Sequence, residues 1–254
     1  MAVKITKLTD AIGTEVSGVD LSGPIDVETI VKIREAWAQH GIVLFRDQSL
    51  TLPQQITFTK RFGNLYVDLS DDFTHPDHRE VFVLSNIKEE DKYIGLPPEQ
   101  TGEAWHSDLI YREAPAAGAF FYAKEAPAEA GDTLFAGMYA AYDALPQDRK
   151  EQIDQLKCCY SRTKVYELDI LAKGLPPLRD EEKAALPDVV HPIVRTHPET
   201  GRKALYVGMR VSKATHILDI PEEEGTALLD ELRAFATQPQ FVYRHHWSAG
   251  DAIM

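Results

Sequence analysis

The chain has 254 residues, of which 44% are hydrophobic and 26% are charged, as is typical of a globular protein that buries a sizeable core. Its formal net charge of −13 at pH 7 argues against nucleic acid as a partner, because phosphate binding needs a basic surface. No run of about 18 apolar residues and no apolar secretory signal are present, so we expect a cytoplasmic protein without a membrane span.

The first predicted elements are two helices that flank a strand. Apolar residues recur at helical spacing over 26–40, and Gly41 is a typical helix end. The apolar run 42–45 predicts a strand that is buried on both faces. Pro53 then opens a second helix, which Gly63 closes.

The middle of the chain predicts strands separated by a long loop. Residues 81–84 and 118–123 are predicted strands, and the turn at 129–132 leads into another. Residues 88–103 form a polar loop, and long loops of this kind often cover a site.

The two cysteines of the chain, Cys158 and Cys159, are adjacent. Neighbouring cysteines rarely bridge each other, and two thiols cannot build a disulfide framework or a structural zinc site. We therefore predict that both pack in a core, in a reducing compartment.

The C-terminal half mixes helices and strands. It predicts helices over 138–145, over 146–156 and from Pro221, and strands over 189–194, 203–207 and 241–247. Many short strands with a few grouped helices favour one α+β domain, 1–254, around a sandwich or jelly-roll core. The final apolar residues, 252–254, make barely half a strand of typical length, so we expect the natural chain to continue beyond Met254.

The motif with the clearest chemistry is His106-Ser107-Asp108. On an extended strand, residues i and i+2 point to the same face, so the imidazole and the carboxylate would converge. With a second, distant histidine they would form the two-histidine, one-carboxylate face typical of non-haem Fe(II) enzymes. A His-x-Asp pair also occurs by chance, so the motif alone leaves metal binding open.

Seven collinear stretches extend this interpretation to the whole chain. They are Gly18-Val19-Asp20-Leu21, Val43-Leu44-Phe45-Arg46-Asp47-Gln48, Arg61-Phe62-Gly63, Trp105-His106-Ser107-Asp108, Gly131-Asp132-Thr133, residues 191–198 and residues 250–254. In these stretches the chain resembles the taurine dioxygenase / 2,4-dichlorophenoxyacetate dioxygenase family of Fe(II)- and 2-oxoglutarate-dependent oxygenases.

The resemblance implies a double-stranded β-helix (jelly-roll) core with flanking helices. It implies that His106 and Asp108 are two of three Fe(II) ligands and that Thr133 helps to hold the cosubstrate 2-oxoglutarate. Leu109 matches a position that lines the substrate space. The reaction implied is O₂-dependent hydroxylation of an unactivated C–H bond in a small organic substrate, with release of succinate and CO₂.

The resemblance also predicts residues that the chain does not contain. The third iron ligand, a histidine, and an arginine for the far carboxylate of 2-oxoglutarate are both expected beyond Met254. Without them we expect weak iron binding and little turnover. Relatives of this kind are often homo-oligomers, which leaves the oligomeric state open.

The substrate is expected to be anionic, but not taurine. Asp68 and Asp71 stand where the taurine enzyme has a histidine and a tyrosine for its sulfonate. A pair of carboxylates there would repel a sulfonate.

Two other classes of function stay open at this point. One is a cupin-like metallohydrolase or isomerase that uses His106, Asp108 and either His245 or His246, and that would need no O₂ and make no succinate. The other is a non-catalytic barrel that binds an acidic metabolite, whose binding would survive removal of the metal.

Overall fold

The computed structural model describes residues 3–67, 73–97, 104–173, 177–184, 186–208 and 215–254. The chain divides into two compact units. The first unit comprises Met1–Glu103, Ala119–Phe135 and Tyr243–Met254, and the second comprises Ala104–Gly118 and Ala136–Val242. Whether the whole chain acts as one domain stays a prediction.

The helices of the described residues lie mainly near the N-terminus and in the second half of the chain. The α-helices are α1 Val27–His40, α2 Leu52–Thr59, α3 Met138–Ala144, α4 Gln147–Ile153, α5 Arg162–Lys173, α6 Asp180–Ala184 and α7 Glu222–Ala236. A 3-10 turn, Pro239–Phe241, follows α7.

The strands are mostly two to four residues long. They are β1 Lys4–Lys7, β2 Thr14–Ser17, β3 Val43–Phe45, β4 Thr74–His75, β5 His78–Phe82, β6 Lys88–Glu89, β7 Lys92–Tyr93, β8 Phe121–Tyr122, β9 Thr133–Ala136, β10 Lys157–Tyr160, β11 Val189–Pro192, β12 Val194–Thr196, β13 Lys203–Leu205, β14 Thr215–Ile217, β15 Val242–His245 and β16 Ala252–Ile253.

The first unit contains a five-stranded sheet in the order β1-β2-β3-β16-β8. Strand β2 runs parallel to β3, whereas β16 pairs antiparallel with β3 on one side and β8 on the other. All three residues of β3 are buried, as the continuous apolar run predicted. The short segment at 252–253 is therefore an interior strand of this sheet.

Helix α1 shows why the local sequence signals succeed. The Asp26 side chain accepts a hydrogen bond from the Thr29 backbone N–H at 2.8 Å, which caps the first turn. Gly41 ends the helix with a φ of 81°, a conformation that costs other residues free energy. Ile30 and Ile33 lie on the buried face, where each large aliphatic side chain contributes roughly 1.5–3 kcal/mol.

The second unit is built around a three-stranded sheet in the order β11-β10-β14 and the hairpin of β12 with β13. Leu228, Leu229 and Leu232 of α7 pack into its core. Cys158 and Cys159 on β10 are both buried and unbridged, which confirms the predicted packing role.

The mixed helix-and-sheet prediction is confirmed, but some strands are shorter than expected. Only Phe121 and Tyr122 of the predicted strand 118–123 are in a ladder. In the described residues β8 pairs only with the two residues of β16, so few backbone groups find a partner there. Within the described residues, no helix is both long and apolar enough to cross a membrane.

Candidate functional site

The predicted metal pair lies in the second unit, at the start of a turn. The side chains of His106 and Asp108 meet, with 3.4 Å between Nε2 and Oδ1. The pair does not lie on a strand, because residues 104–107 form no regular structure and residues 108–111 form a turn. Leu109 takes a left-handed conformation with a φ of 54°, so the chain bends directly after Asp108.

The hydrogen bonding of His106 sets the chemistry of this pair. Its Nδ1 lies 2.8 Å from the carbonyl oxygen of Ala104, and a carbonyl can only accept. When the ring is neutral, its hydrogen is therefore on Nδ1 and its lone pair is on Nε2, which faces the Asp108 carboxylate. In that state the pair presents one nitrogen and one oxygen acceptor, 3.4 Å apart, on the exposed side of the turn.

The donor set and its spacing fit a divalent first-row metal. Metal–nitrogen and metal–oxygen bonds to such groups are about 2.0–2.2 Å long, so atoms 3.4 Å apart are close enough to bind one ion together. One imidazole nitrogen and one carboxylate oxygen belong to the ligand set of non-haem Fe(II). Within the described part of the chain, no cluster of three or more His, Cys, Asp or Glu side chains is arranged to hold an ion.

Thr133 lies in the first unit, at the start of β9, which pairs with β15. Its Oγ1 accepts a hydrogen bond from the indole N–H of Trp247 at 2.9 Å. Because the indole can only donate, the threonine hydroxyl keeps its own hydrogen for an acceptor. Trp247 is held by edge contacts with the Phe121 and His245 rings, at centroid distances of 4.7 and 4.4 Å.

His245 is a fully buried member of a polar network. Its Nδ1 lies 3.0 Å from the Tyr243 hydroxyl, and its Nε2 lies 3.1 Å from Asp251 Oδ2 without hydrogen-bond geometry. The Asp251 carboxylate also accepts from the Arg46 guanidinium at 2.9 Å. Burial lowers the pKa of His245 below its usual value, an effect that the Asp251 charge only partly offsets. This ring is therefore a neutral packing element next to Trp247.

His246 points to a different carboxylate. Its Nδ1 lies 2.7 Å from Asp132 Oδ1, and Arg244 Nε lies 2.5 Å from Asp132 Oδ2. The hydrogen bond from Arg244, followed by that from His246, lowers the pKa of Asp132. These contacts fix the residue that precedes Thr133.

A pH-dependent stability is expected from His245. The unfolded chain binds a proton at this histidine near pH 6.5, whereas the buried ring resists it. The neutral His245 should therefore make its whole contribution to the free energy of unfolding above about pH 6.5. This free energy should fall as the pH drops toward the lowered pKa of the folded state. The free energy of unfolding, measured with urea from pH 7.5 to 5, should fall less steeply in His245→Gln than in the wild type.

The matched control for this measurement is His197→Gln, in the connection between β12 and β13. If the two variants change the pH slope equally, or if His245→Gln keeps the wild-type slope, the buried neutral state assigned to His245 is contradicted.

Comparison with known proteins identifies the chain. A family model described as "Taurine catabolism dioxygenase TauD, TfdA family" matches residues 4–254. The chain belongs to this family. The family expected from the sequence motifs is thereby confirmed.

Characterised relatives are similar over the whole chain. The alpha-ketoglutarate-dependent 2,4-dichlorophenoxyacetate dioxygenase of Cupriavidus pinatubonensis is 31% identical, over 100% of this chain and 89% of that protein. The (S)-phenoxypropionate/alpha-ketoglutarate-dioxygenase of Sphingobium herbicidovorans is 32% identical, over 100% of this chain and 86% of that protein.

Solved structures agree with this assignment. AAD-2 in complex with Mn(II) and N-oxalylglycine is 30% identical with a TM-score of 0.78, over 99% of this chain and 86% of that one. A taurine dioxygenase from Burkholderia xenovorans is 28% identical with a TM-score of 0.79, over 100% of this chain and 79% of that one.

Membership of the TauD/TfdA family decides between the three classes of function left open by the sequence. The chain is a 2-oxoglutarate-dependent dioxygenase, which uses Fe(II), 2-oxoglutarate and O₂. This sets aside the metallohydrolase and the non-catalytic barrel. His245 and His246, the extra ligands that the hydrolase would need, instead contact Tyr243 and Asp132.

The structure adds site residues that the sequence motifs did not indicate. Trp247 reaches Thr133 across 114 positions, and nothing in the sequence pairs them. The Ala104 carbonyl fixes the tautomer of His106, which only coordinates reveal. Asp68 and Asp71, the basis of the prediction against taurine, lie outside the described residues.

Proposed function

We propose that this dioxygenase hydroxylates a C–H bond of a small anionic organic substrate, with His106 and Asp108 as two of its iron ligands. The observation that carries the proposal is that His106 Nε2 faces the Asp108 carboxylate at 3.4 Å, while Nδ1 is bound to the Ala104 carbonyl. One imidazole nitrogen and one carboxylate oxygen at this distance are two donors of the kind that non-haem Fe(II) takes.

The side chains of the pair have distinct tasks. The Ala104 carbonyl holds the Nδ1 hydrogen of His106, which keeps Nε2 available as a metal ligand. Asp108 supplies the charge that balances part of a divalent ion. Ferrous iron, when bound with 2-oxoglutarate, supplies the activation of O₂ and the cleavage of the C–H bond. The overall reaction converts R–H, 2-oxoglutarate and O₂ into R–OH, succinate and CO₂.

Thr133 is the proposed donor to a carboxylate of 2-oxoglutarate. The Trp247 indole occupies one acceptor site of its hydroxyl, so the hydroxyl hydrogen is available for an anion. A hydrogen bond to a charged acceptor is about twice as strong as a neutral one. The side chain is thereby prepared for the cosubstrate before it arrives.

The names of the relatives support an anionic substrate. They include enzymes for 2,4-dichlorophenoxyacetate, for (S)-phenoxypropionate and for sulfate esters, and each of these compounds carries a carboxylate or a sulfate. Leu109, half-buried and adjacent to Asp108, is the proposed apolar contact for such a substrate. Taurine remains outside the proposal because of Asp68 and Asp71.

The finer structural expectations belong to the same proposal. They are a jelly-roll core with flanking helices and a cytoplasmic location. The oligomeric state stays open.

The test is a substrate screen on the full-length protein with Fe(II) and 2-oxoglutarate. Aryloxyalkanoates, alkyl sulfates, sulfonates and N-acyl amino acids are each incubated with and without O₂, and succinate is measured. We expect O₂-dependent succinate with an aryloxyalkanoate or an alkyl sulfate, and the hydroxylated product or its fragments. Turnover confined to uncharged substrates would contradict the anionic class, and no succinate with any compound would contradict the proposed activity.

A further inference from the structure

Three successive backbone carbonyls, those of residues 206–208, accept hydrogen bonds from three different parts of the second unit. The donors, in order, are the Tyr160 hydroxyl at 2.7 Å, Arg233 Nε at 2.8 Å and the backbone N–H of Ser107 at 3.1 Å. The third donor is the residue between His106 and Asp108. The 206–208 segment therefore ties the metal pair to the core of its unit.

The other two donors are themselves fixed. Tyr160 lies on β10 and is fully buried, in contact with the rings of His191 and Tyr206. Arg233 lies on α7, and its Nη2 also donates to Thr215 Oγ1 at 3.1 Å. Because both donors belong to packed elements, the 206–208 segment has little freedom to move.

Gly208 touches the backbone of the metal pair directly. A Cβ on this residue would lie 3.0 Å from the Ser107 nitrogen and 3.2 Å from the His106 carbonyl carbon. These are backbone atoms, which cannot rotate away as a flexible side chain would. A larger residue at 208 would therefore push the loop that carries both ligands.

The far end of the same loop is also held. Ile110 is buried in the core of the second unit. The backbone oxygen of Arg112 accepts a hydrogen bond from Nε2 of the buried His191 at 2.9 Å. The loop therefore cannot relax easily in response to a push at Ser107.

We propose that Gly208 is a positioning residue of the iron site, which holds His106 and Asp108 at ligand spacing through Ser107. The inference rests on the proposed function, since it takes this pair as iron ligands. Its physical basis is that sites of this kind require their groups to be held within about 0.5 Å of the productive geometry.

The experiment measures Mn(II) affinity of the full-length protein by EPR of free and bound Mn(II). Gly208→Ala should weaken Mn(II) binding about 10- to 100-fold, the usual effect of losing a partner that orients a metal ligand. Gly63→Ala is the matched control, because a Cβ there meets no described atom within 4 Å. It should bind Mn(II) as the wild type does.

Tyr160→Phe supplies a second variant in case Gly208→Ala does not fold. It keeps the buried ring but removes the hydrogen bond to the 206 carbonyl, and it should weaken Mn(II) binding about 2- to 10-fold. Thermal unfolding, measured in parallel, separates a loss of fold from a loss of site geometry. Wild-type affinity in every folded variant would overturn the positioning role alone. A wild type that binds no Mn(II) would overturn the ligand assignment as well.

Discussion

Replacement of His106 or Asp108 by alanine is expected to weaken Mn(II) binding more than about 100-fold, since even partners that only orient a metal ligand are worth 10- to 100-fold. Each variant removes one of the two donor atoms that face each other at 3.4 Å. O₂-dependent succinate formation should fall to background at the same time. Titration with Mn(II), followed by EPR, and a succinate assay check both results on the full-length protein.

His197→Ala is the control for this pair of substitutions. It removes an imidazole from the second unit. That imidazole lies in the connection between β12 and β13 and not in the loop that carries His106 and Asp108. It should leave both Mn(II) affinity and succinate formation unchanged. An Asp108→Ala protein that binds Mn(II) as tightly as the wild type would show that the carboxylate is not a ligand.

Replacement of Thr133 by valine is expected to weaken cosubstrate binding about 10- to 100-fold. The substitution keeps the shape of the side chain but removes the hydroxyl proposed to donate to a carboxylate, and such charged hydrogen bonds are worth about 1.5–3 kcal/mol. It also leaves the indole N–H of Trp247 without its acceptor at 2.9 Å, which should lower stability by about 1–3 kcal/mol. Calorimetric titration of the Mn(II)-loaded protein with N-oxalylglycine measures the affinity independently of turnover.

Thr133→Ser is the matched control, because serine keeps the hydroxyl and loses only a methyl group. Its affinity for N-oxalylglycine should stay within a few-fold of the wild type. Equal affinities for the valine variant and the wild type would exclude Thr133 from the cosubstrate site.

Where structure is decided locally, the sequence predicted it well. The first helix could be placed because its apolar residues recur at helical spacing and Gly41 ends it. Helix α7 likewise begins after Pro221, with acidic residues in its first turn where the helix dipole favours them. Such signals do not depend on what the rest of the chain does.

Where structure depends on distant partners, the sequence failed or was silent. Of the strand predicted at 118–123, only Phe121 and Tyr122 are in a ladder, opposite the two residues of β16. The metal pair does meet, but through the turn at Leu109 rather than through the pleat of a strand. The contact of Gly208 with Ser107 joins residues about a hundred positions apart, and no local pattern announces it.

The family could be predicted because its reactive residues lie in short motifs that occur in the same order along the chain. His106, Asp108 and Thr133 lie in such motifs, whereas Trp247 and Gly208 act on them only through space. The sequence therefore predicts the reactive groups of the candidate site, but it does not predict the residues that orient them.

Anaerobic addition of Fe(II) and 2-oxoglutarate to the full-length protein, followed by visible absorption, tests the central claim most directly. A weak metal-to-ligand charge-transfer band should appear in the wild type and be absent from Asp108→Ala and His106→Ala. No band in the wild type, or an undiminished band in both variants, would contradict an iron site built on this pair.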